Sequence, residues 1–127
     1  ALFCAGLLVG QRRAGPGSLP AGGELPRFVL FLYDSPSEVS LTGTQMDERV
    51  LEYRNWAVSL RGQGAEIRGE KLGPESRRLG APAPGDLPLG GYFIVSAKDW
   101  DAAMEIARTC PHLKHGGTIE VREIEKT

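Results

Sequence analysis

The chain has 127 residues, 41% hydrophobic and 24% charged, and 15 basic against 16 acidic side chains leave a formal net charge of −1. That is enough chain for one domain with its own core, without help from disulfides or a metal. The sequence holds neither a basic block suited to nucleic-acid phosphates nor an apolar run long enough to span a membrane, so no nucleic-acid or membrane partner is expected.

Residues 1–26 read differently from the rest. "ALFCAGLLV" is a short apolar run, and "GQRRAGPGSLPAGGELP" after it is rich in Gly and Pro. An apolar core with a small-residue tail is the pattern of a signal-peptide remnant, but its positive charge should come first, and here Arg12 and Arg13 come after. The expectation is a disordered extension outside a domain spanning 27–127. Cys4 and Cys110 lie at opposite ends of the chain, which argues against a disulfide framework. A cytoplasmic location is therefore expected, with export as the alternative if residues 1–26 are a signal remnant.

Phe28 to Tyr33, "FVLFLY", is too short for a helix and apolar at every position, as in a strand buried on both faces. Asp34-Ser-Pro-Ser37 turns the chain. Met46, Val50, Tyr53, Ala57 and Leu60 then recur at helical spacing, widened by Leu51, Trp56 and Val58. Thr42 or Thr44 caps this helix, Asp47 and Glu48 are expected in its first turn, and Gly62 and Gly64 close it. Ala65 to Leu72 alternates like a strand with one wet face, and Gly73 to Leu89, with four prolines, should be an irregular loop. Gly91 to Val95, "GYFIV", is a second strand apolar on both faces. Asp99 caps a helix whose stripe is Trp100, Ala103, Met104, Ala107 and Cys110, and Pro111 stops it. Thr118 to Ile124, "TIEVREI", is the last strand.

The order βαββαβ predicts a ferredoxin-like α+β fold, a four-stranded antiparallel sheet with both helices on one face. The two central strands are nevertheless apolar on both sides. A second copy is the simplest cover for the bare face, so a homodimer joined through the sheets is expected.

Leu89 to Ile124 resembles the C-terminal half of the YCII-related domain family, in its DGPF-type branch. The residues that carry the likeness are Gly90-Gly91-Tyr92, the Ala-rich helix from Ala102 to Ala107, Cys110-Pro111, Gly116-Gly117 and Glu120-Val121-Arg122. The N-terminal half agrees more loosely, through its apolar strand and Trp56. The resemblance implies a dimeric α+β barrel. The Asp-Gly-Pro-Phe signature of the branch is missing: its place reads "GAPAPGDLPLGGY", with Asp86 the only acid.

The stretch "CPHLKHGG", Cys110 to Gly117, gathers both histidines with one cysteine. Its Cys-x-His-x-x-His spacing matches no zinc pattern and has no second cluster to complete it, so no metal is expected, and no cofactor. Acid–base work would use His112 or His115 with a carboxylate such as Asp34. Asp34 ends the first strand and the histidines precede the last. These two loops are expected at opposite strand ends unless a dimer joins them. His115 is expected in a solvated turn, and His112, near a helix end, is the better base. Tyr33, Tyr92 and Trp56 are candidates to line a ligand pocket. The leading expectation is a small homodimer that binds a small organic ligand. The alternatives are a cofactor-free lyase or isomerase with a histidine base, and a non-catalytic structural or regulatory dimer.

Overall fold

The computed structural model describes residues 24–36, 41–82, 85 and 87–127. Residues 1–23 and Asp86 lie outside the described residues, and with them the expectations about the extension and about that acid.

Four strands and two helices follow in the expected order: β1 (Arg27–Tyr33), α1 (Gly43–Gly62), β2 (Ile67–Lys71), β3 (Leu89–Ser96), α2 (Trp100–Arg108) and β4 (Thr118–Ile124). The sheet is antiparallel, in the order β2-β3-β1-β4. β1 and β3, which hold the apolar runs Phe28–Tyr33 and Gly91–Val95, are thus the central pair. The fold is the ferredoxin-like α+β arrangement that the element order implies.

Strand alternation sorts the sheet into two faces. Phe28, Leu30 and Leu32 of β1 are buried together with Val95 and Ile67, and Phe93, Ile119 and Val121 pack around them. The helices cover this face. α2 approaches closely because Ala103 and Ala107 are small, and both are buried with Cys110. Trp56 of α1 meets the Phe93 ring edge-on at 5.1 Å between centroids, and Phe28 meets Trp100 in the same way at 5.0 Å. Fully burying Phe28 and Leu30 stabilises the fold by about 1.5–3 kcal/mol each. The other face carries Val29, Phe31 and Tyr33 of β1 beside Tyr92 and Ile94 of β3, all half-buried.

Three local expectations need correction. The apolar stripe of α1 is narrower than its spacing suggests. Tyr53, Trp56, Ala57 and Leu60 reach the core, while Val50, Leu51 and Val58 are exposed. Thr42 is the residue that caps α1, in a reciprocal pair with Gln45, so the helix starts at Gly43 and its first turn contains no acid. Asp47 and Glu48 therefore lie one turn in. Finally, Pro111 does not open a loop. α2 already ends at Arg108 with Thr109 as its cap, short of Cys110, and Pro111 begins a 3₁₀ helix, Pro111–His115.

Candidate functional site

The 3₁₀ helix sets up the site. With three residues per turn, side chains at i and i+3 eclipse, so His112 and His115 share one face and both point at α1. There the successive residues Glu52 and Tyr53 receive them. Tyr53 meets His112 inside the fold, and Glu52 meets His115 at the rim.

His112 is 1% exposed, the sole polar or charged side chain among the fully buried described residues. Its Nε2 lies 2.7 Å from the carbonyl oxygen of Tyr33, which can only accept, so Nε2 carries the proton. Nδ1, 2.7 Å from the Tyr53 hydroxyl, then accepts from it. Both ring nitrogens are thereby held by protein groups, which fixes the tautomer and ties β1, α1 and the 3₁₀ helix together. The ring leaves no room beneath it: a Cβ on Gly117 would stand 2.1 Å from His112 Nε2. Of the Gly-Gly pair only Gly116 takes positive φ, at 85°, and Gly117 is a glycine for the sake of the histidine.

The strand pairing also overturns the expected separation of the two loops. β1 and β4 are antiparallel with Tyr33 opposite Thr118, so the end of β1 and the start of β4 are neighbours. Asp34 and the histidines therefore share one end of the sheet within a single copy. Ser35 donates to the His115 carbonyl at 3.3 Å, joining the two loops directly. Asp34 lies over Gly90, where a Cβ would come within 2.4 Å of the carboxylate oxygens.

At the rim, His115 Nε2 donates to Glu52 Oε1 at 2.8 Å, and Lys114 pairs with Oε2 of the same carboxylate. Partial burial raises the Glu52 carboxyl, but the bonds and charges of Lys114 and His115 outweigh it and hold it below the ordinary value of 4.5. His115 is thus not a solvated turn residue: its side chain is 21% exposed and oriented by an acid. Beside the pair lies a cleft of about 260 Å³ lined by Leu41, Gln45, Glu48, Arg49, Glu52 and His115. A wider depression of about 920 Å³ runs between the entry to β1 and the second half of β4 past Trp100, its lining mostly charged and without histidine or cysteine.

The remaining candidates lie elsewhere. Trp56 packs half-buried against the core, its indole N–H donating to Thr109 at 2.8 Å. Tyr33 and Tyr92 stand on the bare face of the sheet. Burial, then the bond to Glu120 at 3.1 Å and its charge, pushes the Tyr33 phenol up, against the opposing Arg122. Among the described residues no group of three or more His, Cys, Asp or Glu is gathered to hold a metal. Cys110 is buried, and burial pushes its thiol up to about 11.

The family model of the YCII-related domain matches residues 27–127, from the first residue of β1 onward. The chain belongs to the YCII-related domain family. No curated protein matches it. In this YCII-related domain no helix among the described residues is long and apolar enough to cross a membrane. Sequence reasoning missed Glu52 and Tyr53 as partners of the histidines. The signal was present as His-x-x-His after a proline, which a 3₁₀ turn places on one face.

Proposed function

We propose that this YCII-related domain works as a homodimer joined through the bare faces of two sheets, and that each copy binds a small organic ligand at the histidine end of its sheet. The observation that carries the reading is the bare face itself. Val29, Phe31, Tyr92 and Ile94 lie on the two central strands, opposite the face that the helices cover. Covering them returns roughly 25 cal/mol per Å² of apolar surface removed from water, and a second copy brings a matching face.

For the ligand, the support is the cleft beside His115 and Glu52. It is small, close to the lower end of ligand-site volumes. Its lining mixes one leucine with an amide, two acids, an arginine and a histidine, which suits a compact polar molecule with a short apolar part. The test is a thermal-shift screen with small carboxylic acids, amines and aromatic acids, run on the wild type and on Glu52→Gln and His115→Gln. The expected result is stabilisation of the wild type that both variants reduce. Stabilisation by none of these compounds, or by the same amount in all three proteins, removes the ligand reading.

A second reading, a cofactor-free lyase or isomerase with a histidine base, is favoured by one observation. Glu52 holds His115 through Nε2–H, which leaves Nδ1 as the basic nitrogen. His112 has both nitrogens engaged and would act as a base only after giving up Tyr53 or the Tyr33 carbonyl. Ligands found in the screen are incubated with the protein in D₂O. Exchange of a carbon-bound proton that His115→Gln abolishes supports catalysis, and absence of exchange with every ligand leaves binding alone.

A further inference from the structure

The cleft beside His115 has one acidic edge and one basic edge. Four of its lining residues come from α1, where successive residues stand about 100° apart around the axis. On that wheel Gln45 and Glu52 fall within about 20° of each other and run along the middle of the cleft. Glu48 lies about 50° to one side of that line and Arg49 about 50° to the other. Leu41, just before the Thr42 cap, stands at the end nearest Gln45, and His115, bonded to Glu52, stands at the opposite end.

The protein itself satisfies only some of these groups. Both oxygens of Glu52 are taken, Oε1 by His115 and Oε2 by Lys114, so a ligand meets a carboxylate already balanced by its neighbours. Glu48 is exposed and has no hydrogen bond or ion pair among the described residues. Arg49 is half-buried and already engaged, but a guanidinium has five N–H donors, and one partner leaves others over. The cleft therefore presents a negative group and a positive group across a narrow gap, with a leucine at one end. We infer that its ligand is a small α-amino acid, with the ammonium group on Glu48, the carboxylate on Arg49 and an apolar side chain against Leu41. This rests on the ligand reading above and adds to it the chemical class of the ligand.

Singly charged molecules suit the cleft less well. A plain carboxylic acid gains Arg49 but brings its charge beside Glu48, and a plain amine gains Glu48 but sits beside Arg49. At equal distance the repulsion is as large as the attraction. A molecule with both charges on neighbouring groups turns both edges to advantage. The volume, about 260 Å³, admits an amino acid with a short branched side chain such as valine, and is too small for a peptide of several residues. Because Glu48 is exposed, its ion pair is screened by water and salt, and binding is expected at roughly millimolar concentration.

The test is an NMR titration of the imidazole C–H signals at neutral pH and low ionic strength, where screening is weak. Of the chain's two histidines His115 lines the cleft and the buried His112 does not, so the His115 signal, assigned by its loss in His115→Gln, reports occupancy. The probes are L-valine, 3-methylbutanoate, which lacks the amino group, and 2-methylpropylamine, which lacks the carboxylate. Valine should shift the His115 signal saturably and bind roughly three- to tenfold more tightly than either of the others. Glu48→Gln and Arg49→Gln should each weaken valine by a similar factor; if Arg49→Gln does not fold, the sign of the change in the exposed Glu48→Gln decides alone. A carboxylate that binds as well as valine and tightens in Glu48→Gln overturns the inference, as does an amine that binds as well and tightens in Arg49→Gln. Equal affinity for valine in the wild type and Glu48→Gln overturns it too. Each of these results leaves a ligand in the cleft, whereas a His115 signal that no compound of the thermal-shift screen moves sinks the ligand reading itself.

Discussion

Replacing Tyr53 by Phe isolates the bond on which the buried histidine depends. The ring remains, and with it the edge-on contact to His112 at 6.0 Å between centroids. What disappears is the hydroxyl 2.7 Å from Nδ1, on an imidazole that is 1% exposed and already donates its only proton to the Tyr33 carbonyl. Nδ1 is then a buried acceptor without a donor, which costs about 1–3 kcal/mol. For a domain of this size that is a fall of roughly 5–15 °C in Tm, or on the order of 1 M in the urea midpoint. Urea unfolding followed by circular dichroism, at one fixed protein concentration, measures it. The decisive comparison repeats Tyr53→Phe in a His112→Leu background, where no acceptor remains to be orphaned and the effect should shrink to within about 0.5 kcal/mol. Equal losses in both backgrounds would mean that the hydroxyl acts elsewhere, and the reasoning about the histidine would be wrong.

Gly117→Ala should destabilise by about 2–4 kcal/mol, because the new methyl enters a ring held from both sides; Gly116→Ala, which only forces alanine to positive φ, should lose about 1–2 kcal/mol, and the reverse ranking in urea melts refutes the packing account. The Glu52 carboxyl titrates lower in the folded chain than in the unfolded one, so its contribution is present above 4.5 and is lost as pH falls through the folded value. The gap in urea midpoint between wild type and Glu52→Gln should therefore be open at neutral pH and close on acidification below 4.5, whereas a gap that widens in acid contradicts the assigned direction. Cys110, with its thiol pushed up to about 11, should resist a disulfide-exchange reagent in native protein at neutral pH and react promptly in denaturant; fast reaction in the native state would show that the α2 face opens.

Much of this fold is legible residue by residue, because its strands obey strong rules. Six apolar residues from Phe28 to Tyr33 can sit only in the middle of a sheet, and β1 sits there. Asp99 caps α2 as its side-chain chemistry requires, accepting from the Ala102 N–H at 2.8 Å. The site was harder to read, for two physical reasons. Helical spacing says which residues share a face but not which part of that face is covered, so Val50, Leu51 and Val58 read as core in the sequence although only Tyr53, Trp56, Ala57 and Leu60 reach it. The pairing of Glu52 with His115 and Tyr53 with His112 depends on how two distant segments meet. Antiparallel pairing of β1 with β4 sets that meeting, and no local pattern encodes it.

The central place of β1 also bears on how the chain reaches this state. Both neighbours of β1 come late: β3 begins at Leu89 and β4 at Thr118, and Arg27 finds its β4 partner in Ile124. Closing such long loops makes the pairing slow compared with the formation of α1, whose contacts are local. During synthesis "RFVLFLY" therefore waits with both edges open and both sides apolar until most of the domain has been made. A seven-residue segment of this kind, rich in β-formers and carrying only one charge, is the part of the chain most prone to pair with the wrong partner. Arg27 at its start is the gatekeeper, and shortening the chain before β4 would leave one edge of the central strand permanently bare.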